Sequence, residues 1–258
     1  MDNKVCVITG SSSGIGAATA RLYAQRGWHV VVNFSRDAAP AEAVAAQCRT
    51  LGQPLGAQAL VVQANVADDA DCRRLAAAVA GQWGRCDVLV NNAGTTKFVA
   101  ARNLDGLDAD DFQRIYAVNV VGAYQMVRAL APLLARHPPG AVVNMSSIAA
   151  STGMGSSVAY AASKGALNTL TMALARALGP GVRVNAIAPG LVETPWLQQG
   201  MGPERYAASV QAYKARSALA DIITPDDVAR AAWYLGVDAV KTTGEVLPVD
   251  GGFRLMPV

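Results

Sequence analysis

Tyr160 and Lys164 stand four residues apart in a segment that reads as helix, so both side chains fall on one face. A phenol beside an ammonium is a proton-transfer pair. Free tyrosine ionises at about pH 10, too high for acid–base work near neutrality, and a neighbouring cation favours the tyrosinate and lowers that value. General acid–base catalysis is most effective when the pKa lies close to the working pH. A second constellation lies at the amino end, Thr9-Gly10-Ser11-Ser12-Ser13-Gly14-Ile15-Gly16. Its glycines follow GxxxGxG, a different spacing from the GxGxxG of the common dinucleotide fingerprint. Between a strand and a helix the mechanics are similar: Gly10 makes the tight turn, Gly14 lets backbone approach a pyrophosphate, and Gly16 packs the helix on the sheet. The helix N-terminus then offers unpaired N–H groups to phosphate oxygens.

The elements that must position these groups alternate. Apolar strands are expected over 4–9, 29–34, 57–63, 87–91, 141–146, 182–188 and 246–249. Helices are expected from the glycine turn to about Arg26, where Gly27 stops the chain, and over 41–51, 71–81, 110–135, 159–178 and 225–235. Pro132 marks a kink or exit in the long one; Thr224 caps the last, with Pro225 in its first turn. Strands apolar on both faces, alternating with helices, imply a parallel sheet covered on both sides. The expectation is α/β, a single Rossmann-type doubly wound parallel sheet of about seven strands, in one domain over 1–258. Ligands of such sheets sit at the carboxyl ends of the strands.

Composition narrows the rest. The chain has 258 residues, is 52% hydrophobic and 16% charged, and carries a net charge of +3. That excludes intrinsic disorder, which needs few apolar and many charged residues. No apolar run approaches the ~18–20 residues of a membrane span, and Met1-Asp2-Asn3-Lys4 leads straight into a strand without a signal-peptide pattern, so the expected compartment is the cytoplasm. The basic residues are scattered, which argues against nucleic acid. Cys6, Cys48, Cys72 and Cys86 form no CxxC pair, and His29 and His137 are too few and too far apart for a His-based site, so no metal is expected. A charge content of 16% is low against about 25% for ordinary soluble domains, which suggests surface buried between subunits.

The glycine turn, Asn91-Asn92-Ala93-Gly94 after the fourth strand, and Tyr160-x-x-x-Lys164 together resemble the short-chain dehydrogenase/reductase family, and the likeness runs from Lys4 to about Phe253. It implies a catalytic quartet. Ser147, 13 residues before Tyr160, stands at the family's serine position, with Ser146 as the competitor, and Asn119 in Tyr-Ala-Val-Asn-Val matches the fourth catalytic position. Tyr160 would be the acid in reduction and the base in oxidation. Lys164 would depress its pKa and bond the nicotinamide ribose, Ser147 would donate to the substrate oxygen, and Asn119 would hold a water that resupplies protons. The cofactor would be held by Gly10, Ser12, Ser13, Gly14, Ile15 and Gly16, by Asn65-Val66 after the third strand, and by Asn92, Ala93 and Gly94. Pro189-Gly190-Leu191-Val192-Glu193-Thr194 matches the family segment that fixes the carboxamide, through Pro189, Gly190, Val192 and Thr194.

Cofactor choice rests on Phe34-Ser35-Arg36 at the end of the second strand. An NAD enzyme needs a carboxylate there for the ribose hydroxyls. Phe34 occupies that place, expected beside adenine, while Ser35 and Arg36 would meet a 2′-phosphate. The expectation is NADP(H), with NAD(H) the alternative; Ser13 stands where many NADP-using relatives carry a basic residue. The implied function is an NADP(H)-dependent oxidoreductase acting on a small-molecule carbonyl or secondary alcohol. The general likeness is to 3-oxoacyl-carrier-protein reductases, which carry basic residues before the fifth strand and after the Tyr-Lys helix. Here those places read His137-Pro138-Pro139-Gly140 and Gly179-Pro180-Gly181, which argues against an acyl carrier protein, although Arg136, Arg176 and Arg183 could compensate. A non-catalytic regulator and a lyase or epimerase are the other classes. A homotetramer is implied, with the helices over 110–135 and 159–178 at one interface and the closing strand at the other. The segment 195–219 would form a substrate lid, with Trp196, Met201, Tyr206 and Tyr213 as pocket candidates.

Overall fold

The chain runs β1 (Val5–Ile8), α1 (Gly14–Gln25), β2 (His29–Phe34), α2 (Ala38–Gly52), β3 (Ala59–Gln63), α3 (Asp69–Trp83), β4 (Val88–Asn91) and α4 (Ala109–Tyr116). A π-helical stretch, Ala117–Gly122, joins α4 to α5 (Ala123–Leu134); then come β5 (Gly140–Met145), α6 (Ala149–Thr152), α7 (Val158–Leu178), β6 (Val182–Pro189), α8 (Pro195–Met201), α9 (Pro203–Arg216), α10 (Pro225–Trp233) and β7 (Val246–Val249). This computed structural model describes residues 3–255, so the ends of the expected 1–258 domain lie outside the described residues. The strands form one seven-stranded sheet in the order β3-β2-β1-β4-β5-β6-β7, and every pair is parallel.

The two-residue period of the strands distributes the core. Cys6, Ile8, Val30, Val32, Phe34, Val88 and Val90 face a cluster with Tyr23, Ala41, Val44 and Leu235 on one side of the sheet. Val5, Val7, Val31, Leu89 and Val142 face Leu75, Val79, Met126, Leu130 and Leu174 on the other. Polar caps set where helices begin. Asp37 caps α2 and Asp68 caps α3, which is why both start earlier than their apolar spacing suggests. Gly27 ends the α1 turn at φ +83°.

Two sequence expectations need correction. The long helix expected over 110–135 is interrupted by the π-helical stretch, a feature without a propensity signature that is frequent at functional sites. Contrary to the absence of any span-length apolar run, α4, that stretch and α5 form one helical run, Ala109–Leu134, long and apolar enough to cross a membrane by length and composition. Half of its apolar window is buried, and Met126, Leu130 and Leu134 pack on the sheet.

Candidate active site

The strand ends converge on a cleft of about 990 Å³. Its floor is the glycine turn after β1. Gly10 has φ +59°, and a Cβ there would lie 2.9 Å from the Ala93 Cα, so both conformation and space require glycine. A Cβ at Gly16 would lie 2.6 Å from the Asn92 Nδ2. The turn is pinned by amides. Asn92 Nδ2 donates to the Thr9 and Gly10 carbonyls at 3.0 and 2.9 Å. Gly10 N–H donates to Asn33 Oδ1 at 2.9 Å, and Asn33 Nδ2 donates to the Ala64 carbonyl at 3.0 Å. Behind the Asn-Asn-Ala-Gly segment, Asn91 Nδ2 donates to Asn144 Oδ1 at 2.9 Å, bracing β4 against β5. No side chain caps α1, unlike α2, α3 and α4, so its first N–H groups remain available at the cleft for an anion.

The reacting groups come from β5 and α7. Tyr160, Lys164, Ser146 and Ser147 all line the cleft. Ser147 acts on the Tyr160 phenol, pulling its pKa down, and its Oγ accepts from Ala149 N–H at 3.1 Å. Ser146 is buried and donates to Asn168 Oδ1 at 2.6 Å, so the two adjacent serines separate into one that faces the phenol and one that ties β5 to α7. Lys164 Nζ donates to the Met145 carbonyl at 2.7 Å. Asn119, in the π-helical stretch, is buried and does not line the cleft. Its Oδ1 accepts from Thr95 N–H at 2.8 Å, and its Nδ2 donates to the Thr95 carbonyl and to Ser163 Oγ, both at 3.0 Å. The amide expected to hold a water therefore clamps the backbone beside Gly94. A Cβ built on Gly94 would sit 3.5 Å from Asn119 Oδ1 and 3.8 Å from Lys164 Nζ, so Asn119 and the lysine share one neighbourhood.

Electrostatics at this site are governed by burial. The Tyr160 phenol is pushed up to about 12 by burial, with the Ser147 hydrogen bond pulling the other way. Burial pushes Lys164 down to about 8. Each shift favours the neutral form. The expected depression of the tyrosine by the lysine is not what dominates here.

Of the other expected cofactor residues, Gly10, Ser13, Gly14, Ile15, Ser35, Arg36, Asn65, Val66, Asn92, Ala93, Gly94, Pro189, Gly190, Val192 and Thr194 line the cleft. Ser12, Gly16 and Phe34 do not. Phe34 is a correction: strand alternation turns its ring into the buried cluster that holds Ala41 and Val44, not toward an adenine. In the lid segment, Trp196, Met201 and Tyr213 line the cleft, while Tyr206 lies at a separate small pocket with Gln198, Gln199 and Pro203. Tyr213 is mostly an anchor, buried and donating to the Asp250 carbonyl at 2.6 Å. Sequence reasoning missed Phe98, Met154, Arg205, Ser209, Arg216 and Phe253, all of which line the cleft. The signal for α9 was present: 205, 209, 212 and 216 repeat at helical spacing.

A doubly wound sheet with an uncapped, glycine-lined helix N-terminus and a tyrosine–serine–lysine cluster at the strand ends defines a dinucleotide-binding oxidoreductase. A family model described as enoyl-(acyl carrier protein) reductase matches residues 10–254. A Streptomyces violaceoruber protein named for ketoacyl reductase 2 of the granaticin polyketide synthase is 42% identical over 98% of this chain and 96% of its own. D-threitol dehydrogenase of Mycolicibacterium smegmatis is 36% identical over 99% and 94%. The solved structure of a short-chain dehydrogenase/reductase homologue from Burkholderia xenovorans superposes with a TM-score of 0.88 at 42% identity, covering 99% of both chains. The chain belongs to the short-chain dehydrogenase/reductase family, whose members typically bind a nicotinamide cofactor.

Proposed function

We propose that the protein is an NADP(H)-dependent oxidoreductase that interconverts a carbonyl and a secondary alcohol, with Tyr160 as general acid and base. The observation that carries this reading is the convergence of Ser147 and Tyr160 on the cleft lining, with Lys164 one helical turn behind the phenol. The glycine turn fits a dinucleotide, since α1 begins there without a side-chain cap hydrogen bond and Gly10, Ser13, Gly14 and Ile15 line the cleft. When bound, the nicotinamide supplies or accepts the hydride. Tyr160 gives its proton to the developing alkoxide in reduction and takes it back in oxidation. Ser147 donates to the same oxygen and holds it against the phenol. Lys164 supplies positive charge behind the phenol, and Asn119 fixes the Thr95 backbone at the cleft wall.

The cofactor preference rests on Arg36. It is exposed at the cleft lining and has no ion-pair partner among the described residues. Asn33 and Asp37, the neighbouring groups that would stand in for a ribose-binding carboxylate, are committed: Asn33 to the glycine turn and Asp37 to capping Ala39 N–H at 3.0 Å. A 2′-phosphate is the ligand that Arg36 suits.

Reduction of an acyl-carrier-bound ketone is the second reading, supported by the relative named for a ketoacyl reductase. Of the arginines offered for a carrier protein, Arg183 is unavailable: it is buried and donates to the carbonyls of Leu235, Gly236 and Ala239. Nicotinamide absorbance followed with a panel of ketones and alcohols tests the proposal. Turnover with NADPH that vanishes in Tyr160→Phe supports it, and redox-neutral conversion would replace it with a lyase.

A further inference from the structure

Among the described residues, five basic ones line the cleft, Arg36, Arg114, Lys164, Arg205 and Arg216, and no aspartate or glutamate does. Three of the five have tasks. Arg114 pairs with Asp111 at 2.7 Å, Lys164 bonds the Met145 carbonyl, and Arg36 stands at the β2 end where the cofactor's phosphate is expected. Arg205 and Arg216 remain. Both line the cleft from α9, and neither has an ion-pair partner among the described residues. Eleven residues separate them, or about 16 Å of helix axis, so they serve different points along the cleft.

Arg216 is the better-built site. It is half-buried, and its guanidinium lies 5.2 Å from the Phe253 ring centroid. Phe253 stacks on Tyr213 at 4.6 Å and 4°, and the Tyr213 hydroxyl is fixed on Asp250. A guanidinium lying over a ring keeps its N–H edges free for a planar oxyanion. The nearby carboxylates are engaged elsewhere, Asp250 by Gly252 N–H at 3.0 Å and Asp221 by Lys214 at 3.0 Å. Gly190 packs against the Tyr213 hydroxyl, and Pro189 accepts from Ile148 N–H at 3.0 Å, next to Ser147. The arginine platform is thus one layer of chain from the reacting hydroxyls. Phe98, Met154, Trp196 and Met201 offer apolar surface in the same cleft.

We infer that the substrate carries an oxyanion, a carboxylate or phosphate remote from its reacting carbonyl, and that Arg216 binds it, with Arg205 drawing it in from the cleft mouth. This rests on the oxidoreductase reading. The oxyanion has two possible sources, a free oxo acid or a phosphopantetheine thioester. The test compares oxo acids with their methyl esters and with an oxoacyl phosphopantetheine thioester, together with calorimetric binding of the hydroxy acid products. The wild type is expected to favour the charged member of a pair at least tenfold in kcat/KM. Arg216→Ala is expected to cut that preference about ten- to a hundredfold, and product binding in parallel, the usual weight of one charge-assisted pair. Lys241→Ala removes an exposed charge outside the cleft lining and is expected to keep the preference. The better of the two charged probes identifies the source. Equal use of acid and ester by the wild type, or a preference that survives Arg216→Ala, overturns the inference while leaving the oxidoreductase intact. Hydroxy acid binding that needs Arg216, without turnover of any ketone or alcohol, keeps the anion site and removes the oxidoreductase reading.

Discussion

Lys164 Nζ lies 5.5 Å from the Tyr160 ring centroid and gives a hydrogen bond to the Met145 carbonyl. The lysine is therefore held behind the phenol, not at its oxygen. Burial lowers it to about 8 from its ordinary 10.5. Between those two pH values the unfolded chain binds more protons at this site than the folded one, so stability rises with pH across the window and the full penalty applies below it. The shift corresponds to about 3 kcal/mol at most. Lys164→Met is expected to abolish turnover yet raise the melting temperature at pH 7, by the equivalent of about 1–2 kcal/mol after the lost hydrogen bond. That gain is expected to disappear near pH 10.5. Melting curves at both pH values check it, and a variant less stable than wild type at pH 7 refutes the burial penalty.

Tyr160→Phe keeps the ring and removes only the hydroxyl that carries the proton. Turnover is expected to fall by about 10²–10⁴, with NADPH affinity nearly unchanged by fluorescence titration. Ser147→Ala is expected to show a comparable loss. Ser146→Ala is expected to retain most activity and lose about 1 kcal/mol of stability with its buried bond to Asn168. A Tyr160→Phe enzyme keeping more than a tenth of wild-type turnover removes the tyrosine from its role. Because burial holds the phenol at about 12, reduction is expected to stay flat through neutral pH and oxidation to climb with alkalinity.

The sheet was legible because its strands are apolar on both faces, and the glycine turn because its spacing sits between a strand and a helix. What escaped was set by contacts distant in sequence. Phe34 reads as a ligand residue from its place at the strand end, but the pleat turns it into the core with Ala41 and Val44. The π-helical turn at Asn119 has no propensity signature, and the fit of Asn119 to Thr95 depends on a loop 24 residues away. The arginines of α9 face the cleft only because Tyr213 docks that helix on Asp250.

That docking makes Gly190 a sensitive position. A Cβ there would stand 1.9 Å from the Tyr213 hydroxyl. Gly190→Ala is expected to displace α9, costing about 1–3 kcal/mol and raising KM for substrate. Tyr213→Phe removes the hydroxyl and should relieve the clash, so the double variant is expected to be more stable than Gly190→Ala alone. Additive losses in thermal melts would show that the glycine acts elsewhere.

Association of four copies is expected from the apolar surface on α5, α7 and the π-helical stretch, where Val121, Tyr124, Val158 and Met172 are exposed. Exposed apolar side chains on these elements, in a chain of low charge, fit a second copy of itself. Light scattering is expected to give four times the chain mass, and Val121→Glu with Met172→Glu to give a smaller species. A stable monomer of the wild type at micromolar concentration refutes it.

Cofactor choice can be tested from two sides. Arg36 is exposed and has no ion-pair partner among the described residues, so Arg36→Ala is expected to weaken NADPH about ten- to a hundredfold, the range of one charge-assisted contact, and to leave NADH nearly unchanged. The sequence alone suggests that Phe34→Asp would create an NADH site. The structure predicts a different result. Position 34 is buried with Val30, Val32, Ala41 and Val44, so the carboxylate would enter an apolar cluster without a partner. The expected outcome is a loss of several kcal/mol, easing as pH falls and the carboxyl is protonated. No gain in NADH use is expected. A folded Phe34→Asp enzyme that prefers NADH would show that this strand end can turn its side chain toward the ribose. A wild type that prefers NADH would mean that Arg36 points to solvent and meets no phosphate.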